Sequence, residues 1–187
     1  MAHKLGSARV RAKAADTADR GLLHGLAPLV GPGTRVVILG SFPGVASLAA
    51  QQYYGHRANA FWRILMEIMP VPAGLETLSS YEKRSEWLLM QGLGLWDVYA
   101  SCRRAGSLDS AIADARLNDL SLLRQRCPQL QALGHNGGES WRHRGVSGAL
   151  GLPVFRLPST SPANAGQTYA AKRDAWRAAL APYLALN

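Results

Sequence analysis

The sequence RVVILGSFPG, residues 35–44, joins a short apolar run to a glycine-containing loop. The run of aliphatic residues that ends at Gly40 predicts a buried strand. Gly40 and Gly44 permit tight turns, and Pro43 stiffens the loop between them. The loop matches neither the phosphate loop of nucleoside triphosphatases nor the glycine signature of dinucleotide-binding folds, so those ligands are disfavoured.

Three more apolar runs and four segments of helical pattern accompany this strand. The predicted strands span residues 35–39, 93–99, 130–133 and 154–157, and the predicted helices span residues 59–68, 80–90, 117–126 and 167–184. Strands separated by helices imply parallel pairing, because parallel strands need crossover connections. We predict an α/β fold of three α/β/α layers around a central, mostly parallel four-stranded sheet. Residues 21–187 are expected to form one domain.

The charge of the chain is unevenly distributed. The formal charge is +9. Residues 1–20 carry five basic and two acidic side chains, residues 21–120 carry eight of each, and residues 121–187 carry eight basic and two acidic ones. A concentrated positive field attracts polyanions, so nucleic acid is the leading partner and a generic basic surface is the alternative. We interpret residues 1–20 as a basic, mobile tail; Asp16 and Asp19 argue against a transit peptide.

The composition argues against several classes of protein. Cys102 and Cys127 are too few for a disulfide framework, a zinc site or a four-cysteine iron–sulfur cluster. No window reaches the ~18 consecutive apolar residues that a membrane span needs, and the N-terminus lacks the apolar region of a signal peptide. We therefore expect a cytoplasmic protein, a monomer, with no cofactor, no metal and no membrane partner.

Each chemically suggestive loop follows a predicted strand. GSFPG, residues 40–44, follows the first strand, and Asp97 closes the second. Asn136 follows the third, and LPSTSPANA, residues 157–165, follows the fourth. Because ligands of parallel sheets bind beyond the carboxyl ends of the strands, we predict one site where these four loops converge.

Four motifs in this order resemble the DNA-deoxyinosine (hypoxanthine) glycosylase branch of the uracil-DNA glycosylase superfamily. They are GSFPGVASL, QQYYGHRANAFW, GLWDVYASCRRAGSLDSAI and RLPSTSPANA. The resemblance implies a compact, monofunctional, metal-free enzyme of base excision repair. Such an enzyme flips a deaminated base out of DNA, hydrolyses its N-glycosidic bond and leaves an abasic site. The substrates it implies are hypoxanthine first and uracil second, in double-stranded or single-stranded DNA.

The resemblance assigns the attacking water to Asn59. Related loops carry an Asp or Asn at the third position of the GSFPG motif, where this chain has Phe42, and the resembling branch has its asparagine at the position of Asn59. An amide is a weak base, but it can hold water in line. A helix cap is the alternative role. His56 is the second catalytic candidate, because imidazole suits proton transfer. Arg57 and Ala58 replace the proline and arginine of the commonest family spelling.

The predicted base-binding residues are Ser41, Phe42, Tyr54, Asp97 and Asn136. The two aromatic rings offer stacking faces, and stacking on a base is worth ~1–3 kcal/mol. An ionised Asp97 would accept a hydrogen bond from N1–H of hypoxanthine or N3–H of uracil. The alternatives are core packing for Phe42, a turn for Asn136, and a helix cap or an ion pair with Arg103 or Arg104 for Asp97.

The predicted DNA-binding residues are Gly44, Ser47, Ser159, Thr160, Ser161 and Asn164. Hydroxyl and backbone N–H groups in LPSTSPANA suit phosphates, and its small apolar residues suit a wedge between bases. A serine-rich turn before the last helix is the alternative. Other superfamily members carry a histidine or asparagine where this chain has Leu157. The leucine lacks the electrostatic aid that those side chains give to the departing base. The basic residues expected along the duplex are Arg142, His143, Arg144, Arg156, Lys172 and Arg173.

Three other functions stay open. One is a uracil- or mismatch-specific glycosylase, and another is a non-catalytic module that binds damaged DNA, which the loss of the Asp or Asn at Phe42 favours. The third is a hydrolase with Ser41 as its nucleophile, which GSFPG supports poorly because it is not a nucleophile elbow.

Overall fold

The computed structural model describes residues 21–72 and 79–186. Its strands are β1 Leu22–His24, β2 Val36–Gly40, β3 Leu93–Asp97, β4 Tyr99–Arg103, β5 Ala113–Leu117, β6 Ala132–Asn136 and β7 Val154–Leu157. Its α-helices are α1 Val45–Ala50, α2 Phe61–Ile68, α3 Tyr81–Met90, α4 Leu122–Arg126, α5 Gly138–Arg142, α6 Arg144–Gly148 and α7 Tyr169–Leu180. A 3-10 turn spans Asp109–Ala111. The predicted tail, residues 1–20, lies outside the described residues, and the assignment of residues 21–187 to one domain stays a prediction.

Four strands form the central sheet in the order β3-β2-β6-β7, and every neighbouring pair is parallel. β2 is buried along its whole length. This burial explains its unbroken apolar sequence, since a parallel sheet covered on both faces buries the side chains of its central strands. The predicted α/β class and the four-stranded parallel sheet are confirmed. The carboxyl ends of all four strands lie at one edge.

The predicted strand at residues 93–99 is too long by two residues at its end. β3 ends at Asp97, and β4 begins at Tyr99 in a different sheet. Val98 lies between them and donates its N–H to the Gly40 carbonyl at 2.9 Å. Because Val98 is buried, the apolar run continues through the junction and gives no sign of the break.

A second sheet of three antiparallel strands, in the order β1-β4-β5, was not predicted. All five side chains of β5 are exposed. An exposed strand has no apolar face, so the period of two that indicates a strand is absent from its sequence. The predicted helix at residues 117–126 is therefore too long at its start: β5 ends at Leu117, and α4 begins at Leu122.

The central sheet separates two hydrophobic cores. Val36 and Ile38 pack in a core with the apolar faces of α2, α3 and α7. Val37 and Leu39 pack in a second core with β4, α4 and both free, buried cysteines. Helices alone cover the first face, whereas short helices and the antiparallel sheet share the second. None of the helices in the described ranges is both long enough and apolar enough to cross a bilayer.

The predicted helices at residues 80–90 and 167–184 correspond to α3 and α7, although the second prediction extends four residues too far at its end. Ser80 Oγ accepts a hydrogen bond from the third N–H of α3 at 3.3 Å, and Thr168 Oγ1 accepts the equivalent bond of α7 at 3.2 Å. Both are N-caps that satisfy a donor of the first helical turn. α7 ends at Leu180, two residues before Pro182, because proline cannot continue the backbone hydrogen-bond pattern.

Candidate active site

A cavity of about 1110 Å³ opens at the carboxyl edge of the parallel sheet. The loops after β2, β4 and β7 line it, together with the ends of β3 and β6. Tyr53, Tyr54, His56 and Asn59 complete the wall. Every site residue predicted from the sequence lies on its wall: Ser41, Phe42, Gly44, Ser47, Tyr54, His56, Asn59, Asp97, Asn136, Ser159, Thr160, Ser161 and Asn164. The predicted convergence of the loops is thus present in the fold. The chemical roles of these residues stay predictions.

Asp97 closes β3 at the base of the cavity and is only 5% exposed. Its Oδ2 has no hydrogen-bond partner among the described residues. Burial, with a smaller contribution from the negative charge of Asp109, raises the pKa of the Asp97 carboxyl to about 7, and Arg104 opposes the rise. Asp97 precedes a strand rather than a helix, and Arg103 forms an ion pair with Asp114 at 3.4 Å. The helix cap is therefore wrong for Asp97. The Arg104 charge acts on Asp97, although the described residues show no direct ion pair between the two side chains.

The Asp97 carboxyl group occupies the space that a side chain at position 40 would fill. A Cβ atom on Gly40 would collide with Asp97 Oδ1 and would lie 3.7 Å from the Tyr54 hydroxyl. Any other residue at this position would displace the carboxylate. Asp97 and Tyr54 therefore flank the same space, one with an acceptor and the other with a hydroxyl group.

Tyr54 forms a wall of the cavity in a strained backbone conformation. Its φ angle is 54°, in the left-handed region that non-glycine residues rarely adopt. Its ring stacks on Phe61 with 3.8 Å between the ring centroids. The hydroxyl accepts a hydrogen bond from Asn136 Nδ2 at 3.1 Å, and its own hydrogen has no acceptor among the described residues. Burial, followed by the nearby Asp97 charge, raises the Tyr54 pKa, so the phenol stays protonated as a donor.

Asn136 ties three parts of the cavity together. Nδ2 donates to Tyr54 and to Thr160 Oγ1 at 2.9 Å, while Oδ1 accepts from the Thr160 backbone N–H at 3.0 Å. Both amide hydrogens are therefore in use. Asn136 supports the wall, and a direct contact between its amide donor and a base would require one of these bonds to break.

Asn59 precedes α2 by two residues. Its Oδ1 accepts a hydrogen bond from the Phe61 N–H at 3.0 Å, while the N-cap position itself belongs to Ala60. The predicted cap is therefore displaced by one residue, although Asn59 does satisfy a donor of the first turn. Its Nδ2 makes no hydrogen bond within residues 21–72 and 79–186. The amide hydrogens can therefore bind a molecule in the cavity.

His56 and Phe42 occupy different environments. His56 is exposed, and its Nδ1 accepts a hydrogen bond from the Ala58 N–H at 3.2 Å, which leaves Nε2 for other partners. Phe42 is 6% exposed, belongs to the second core and lies 5.1 Å below the Arg104 guanidinium. The alternative of core packing is therefore correct for Phe42, and one part of the residue also lines the cavity.

Two predicted DNA contacts are buried. Ser47 is 6% exposed and accepts a hydrogen bond from the Gly55 N–H at 3.0 Å. Thr160 is 1% exposed, bonds to Asn136 and accepts from the Ala60 N–H at 3.0 Å. Both hydroxyls accept internal hydrogen bonds that support the cavity, and both residues line its wall. Their contact with DNA stays a prediction.

The rest of the LPSTSPANA loop is braced by its own hydrogen bonds. Ser159 Oγ accepts from the Ser161 N–H at 3.2 Å, and Asn164 Nδ2 donates to the Ser159 carbonyl at 3.2 Å. Lys172 is 7% exposed and donates its ammonium to the Asn164 carbonyl at 2.6 Å. The expected contact between Lys172 and a duplex is therefore wrong, because its charge is used to hold the loop. Arg156 is exposed on the cavity wall.

The loop between β4 and β5 was missed as a part of the site. Its residues Ser107, Leu108, Asp109 and Ser110 line the cavity. Asp109 Oδ1 accepts a hydrogen bond from Ser41 Oγ at 2.7 Å, and burial raises the Asp109 pKa. Ser41 is thus bonded to a carboxylate and not to a histidine. The signal was available, because GSLDSAI belongs to one of the four quoted motifs.

Comparisons with known proteins agree with this geometry. The sequence matches a family model described as the Uracil DNA glycosylase superfamily over residues 27–184. The chain is 36% identical over 141 residues to a Methanosarcina barkeri protein named hypoxanthine DNA glycosylase, which covers 75% of this chain and 87% of the relative. It is 35% identical over 141 residues to a Methanosarcina acetivorans protein of the same name, with the same coverage of 75% and 87%.

A solved structure shares the fold. The solution NMR structure of a candidate uracil DNA glycosylase from Methanosarcina acetivorans superposes with a TM-score of 0.72 at 33% identity, over 84% of this chain and 95% of that one. The family match spans nearly all the described residues and includes all four loops of the cavity. The chain belongs to the uracil-DNA glycosylase superfamily.

Proposed function

We propose that this protein is a DNA glycosylase that removes deaminated bases from DNA, with hypoxanthine as its first substrate and uracil as its second. The observation that carries the proposal is the pair of polar groups beside Gly40. Asp97 and Tyr54 both line the cavity, and the carboxyl and the hydroxyl both have unused hydrogen-bonding capacity. The names of the two Methanosarcina relatives support hypoxanthine as the preferred base.

An acceptor beside a donor complements a lactam. Hypoxanthine and uracil each present a ring N–H next to a carbonyl oxygen. Asp97 would accept from the N–H, and the free hydrogen of the Tyr54 hydroxyl would go to the carbonyl oxygen. Adenine and cytosine present the reverse order, an amino group where the lactam has its carbonyl. Because the glycosidic bond fixes the orientation of a flipped base, adenine and cytosine would leave these buried groups mispaired, which is costly.

Asn59 is proposed to position the water. Its Nδ2 is free to hold a water molecule, while the bond from Oδ1 to α2 fixes the amide. The water oxygen bonds to C1′ as the glycosidic bond breaks, the bonding electrons leave with the base nitrogen, and the proton lost from the water goes to solvent. Positioning suffices for this step when departure of the base generates an oxocarbenium-like sugar that water captures readily.

Single-turnover cleavage tests the proposal. Labelled oligonucleotides, each with one deoxyinosine, deoxyuridine, deoxyadenosine or deoxycytidine, would be incubated with excess protein and treated with alkali to reveal abasic sites. We expect release from deoxyinosine, slower release from deoxyuridine, and none from the other two. Release mainly from deoxyuridine would support recognition of a lactam by Asp97 and Tyr54 and would reverse the proposed order of substrates. Release from deoxyadenosine as fast as from deoxyinosine would contradict recognition of a lactam by these two residues.

A module that binds damaged DNA without cleaving it is the second candidate. The burial of Phe42 in the second core favours it, because no carboxylate or amide occupies that position of the GSFPG loop. This candidate predicts salt-dependent binding to the deoxyinosine duplex with no alkali-labile product. Any alkali-labile product above the level of a protein-free control would exclude it.

A further inference from the structure

We propose that Arg104 is a positioning residue for base recognition: its guanidinium group ties two loops of the cavity together and keeps a positive charge near the Asp97 carboxyl group. The inference rests on the proposed function, because it concerns how Asp97 is prepared to accept a hydrogen bond from a flipped base. Arg104 follows β4 directly, at the start of the loop of residues 104–111. It does not line the cavity, so it acts through its neighbours.

The guanidinium group bonds to both loops. Nη2 donates to the Pro43 carbonyl in the GSFPG loop, and Nε donates to the Gly106 carbonyl at 3.1 Å. Ser41 Oγ adds a second tie between the same loops by donating to Asp109 Oδ1 at 2.7 Å. A guanidinium group is planar, and its donors point in fixed directions. Arg104 can therefore hold the two carbonyls, and the loops that carry them, at one separation.

Among residues 21–72 and 79–186, no carboxylate cancels the charge of Arg104 by contact. Nη1 is buried without an acceptor, and no described carboxylate forms an ion pair with the guanidinium. The guanidinium carbon instead lies 5.1 Å from the centre of the Phe42 ring. An aromatic face attracts a cation without neutralising it. A carboxylate in place of this ring would pair with Arg104, so the phenyl ring preserves the charge for other groups.

Arg104 is the one positively charged side chain of the described residues that acts on Asp97. Burial and the negative charge of Asp109 raise the pKa of the Asp97 carboxyl, and Arg104 opposes both. Tyr53 and Tyr54 also lie near Asp97, but burial raises the pKa of both phenols, so they stay neutral. Without Arg104, a larger fraction of Asp97 would be protonated at neutral pH, and a protonated carboxyl accepts more weakly from a base N–H.

Arg104 favours the ionised carboxyl group without occupying it. A direct guanidinium–carboxylate pair would take up the acceptor positions of Asp97, often with two parallel hydrogen bonds. The two side chains form no such pair, and Asp97 Oδ2 has no partner among the described residues. Because both groups are buried or partly buried, salt screens the charge little. Asp97 therefore gains ionisation and keeps its oxygens for the substrate.

The test measures the titration of the Asp97 carboxyl group in the free protein by carbon-detected NMR, with the signal assigned by its loss in Asp97→Asn. Arg104→Met and Arg104→Gln remove the charge, and Arg104→Lys keeps it. Arg103→Met is the matched control, because it removes an equal charge one residue away, from an ion pair with Asp114. We expect the midpoint to move to higher pH in both neutral variants and to stay near the wild-type value in Arg104→Lys and Arg103→Met.

The tie between the loops has its own readout. An ammonium group cannot donate in the two fixed directions of a guanidinium, so Arg104→Lys should loosen the loops while it keeps the charge. Amide hydrogen exchange at residues 41–44 and 105–110 should therefore become faster in all three Arg104 variants. In single-turnover release of hypoxanthine, Arg104→Met should lower the rate about fivefold or more at pH 6 and less at pH 8, whereas Arg104→Lys should lower it by the same factor at both.

An unchanged Asp97 midpoint in both neutral variants, or the same shift in Arg103→Met, would overturn the role of the charge. Unchanged hydrogen exchange in all three Arg104 variants would overturn the tie. Both readouts use the free protein, so they separate these failures from a failure of the proposed function. A wild type that releases no base from deoxyinosine DNA would refute the proposed function and, with it, the link of Arg104 to base recognition. Urea unfolding shows which variants are folded, and Arg104→Gln replaces Arg104→Met if the latter does not fold.

Discussion

At the scale of single residues, one carboxyl group controls how the cavity responds to pH. Asp97 can accept a hydrogen bond from a base N–H most strongly when it is ionised, and its pKa of about 7 lies in the physiological range. Asp97→Asn keeps an acceptor oxygen and removes the titration. In the wild type, the rate of hypoxanthine release should rise about tenfold from pH 6 to pH 8, as the ionised fraction rises. In Asp97→Asn the rate should change little over this range.

The measurement is a single-turnover pH–rate profile of each protein on the same deoxyinosine oligonucleotide. Thermal unfolding at each pH controls for loss of folded protein. A profile in the variant as steep as that of the wild type would show that another group titrates and that Asp97 does not read the base.

Asn59 is proposed to position the water, and its side chain also accepts a hydrogen bond from the start of α2. Two measurements separate these roles. Asn59→Ala should lower the single-turnover rate by about a hundredfold or more, because the water loses its positioning group. The same change should destabilise the protein by only about 1 kcal/mol, since it removes one hydrogen bond from the start of α2. Urea unfolding measures the second quantity. A folded Asn59→Ala variant with an unchanged rate would remove Asn59 from the mechanism.

At the scale of secondary-structure elements, the cavity depends on how the ends of β6 and β7 are joined. Asn136→Ala would remove three hydrogen bonds and leave the buried polar groups of Thr160 without partners. We expect a loss of stability of about 2–4 kcal/mol. Amide hydrogen exchange should also become faster at residues 158–161. Asn164→Ala, which removes one side-chain bond from the same loop, is the matched control and should cost about 1 kcal/mol.

Some of the strands and site residues could be predicted from the sequence, and others could not. β2 was predictable, because burial on both faces leaves an unbroken apolar run. β3, β6 and β7 were found with less accurate bounds or from shorter runs, and β7 includes the exposed Arg156. The strand β5 was not predictable, since its five side chains all face solvent. Site membership followed from loop position and, for residues 54–59, from the family resemblance, and every predicted residue lies on the cavity wall. The sequence did not show which of these residues make internal hydrogen bonds. A hydroxyl such as that of Ser47 or Thr160 suits an internal hydrogen bond as well as a contact with phosphate.

At the scale of the whole molecule, two buried groups titrate in opposite senses. His135 is fully buried, its ring nitrogens bond to Ser140 and Ser147 at 2.8 and 2.7 Å, and burial lowers its pKa from 6.5 to about 4. Stability from neutral His135 is therefore lost as pH falls from 6.5 toward 4, where the unfolded chain binds the extra proton. Asp97 has its pKa raised from 3.8 to about 7, so its contribution is lost as pH rises through that range.

The two contributions should largely cancel in the wild type between pH 4.5 and pH 6. In Asp97→Asn, the contribution of His135 should become visible. The free energy of unfolding should then fall as pH falls, by up to about 1.4 kcal/mol per pH unit. His135→Asn should expose the opposite slope, in which stability falls as pH rises. Urea unfolding at several pH values measures both slopes, independently of the absolute stability of either variant. Equal slopes in the two variants would contradict this account.

Asn136 holds the cavity wall in place, and this affects how the base opposite hypoxanthine changes the rate of base release. Because the wall around Tyr54 is already assembled in the free protein, capture of a nucleotide does not wait for the protein to change shape. Opening of the damaged pair then belongs to the DNA, and as an equilibrium before hydrolysis it sets how much of the substrate reaches Asp97 and Asn59. Hypoxanthine in a weak pair should accordingly be removed faster than hypoxanthine opposite cytosine, with which it pairs well. The choice among opposing bases would in that case be inherited from the double helix.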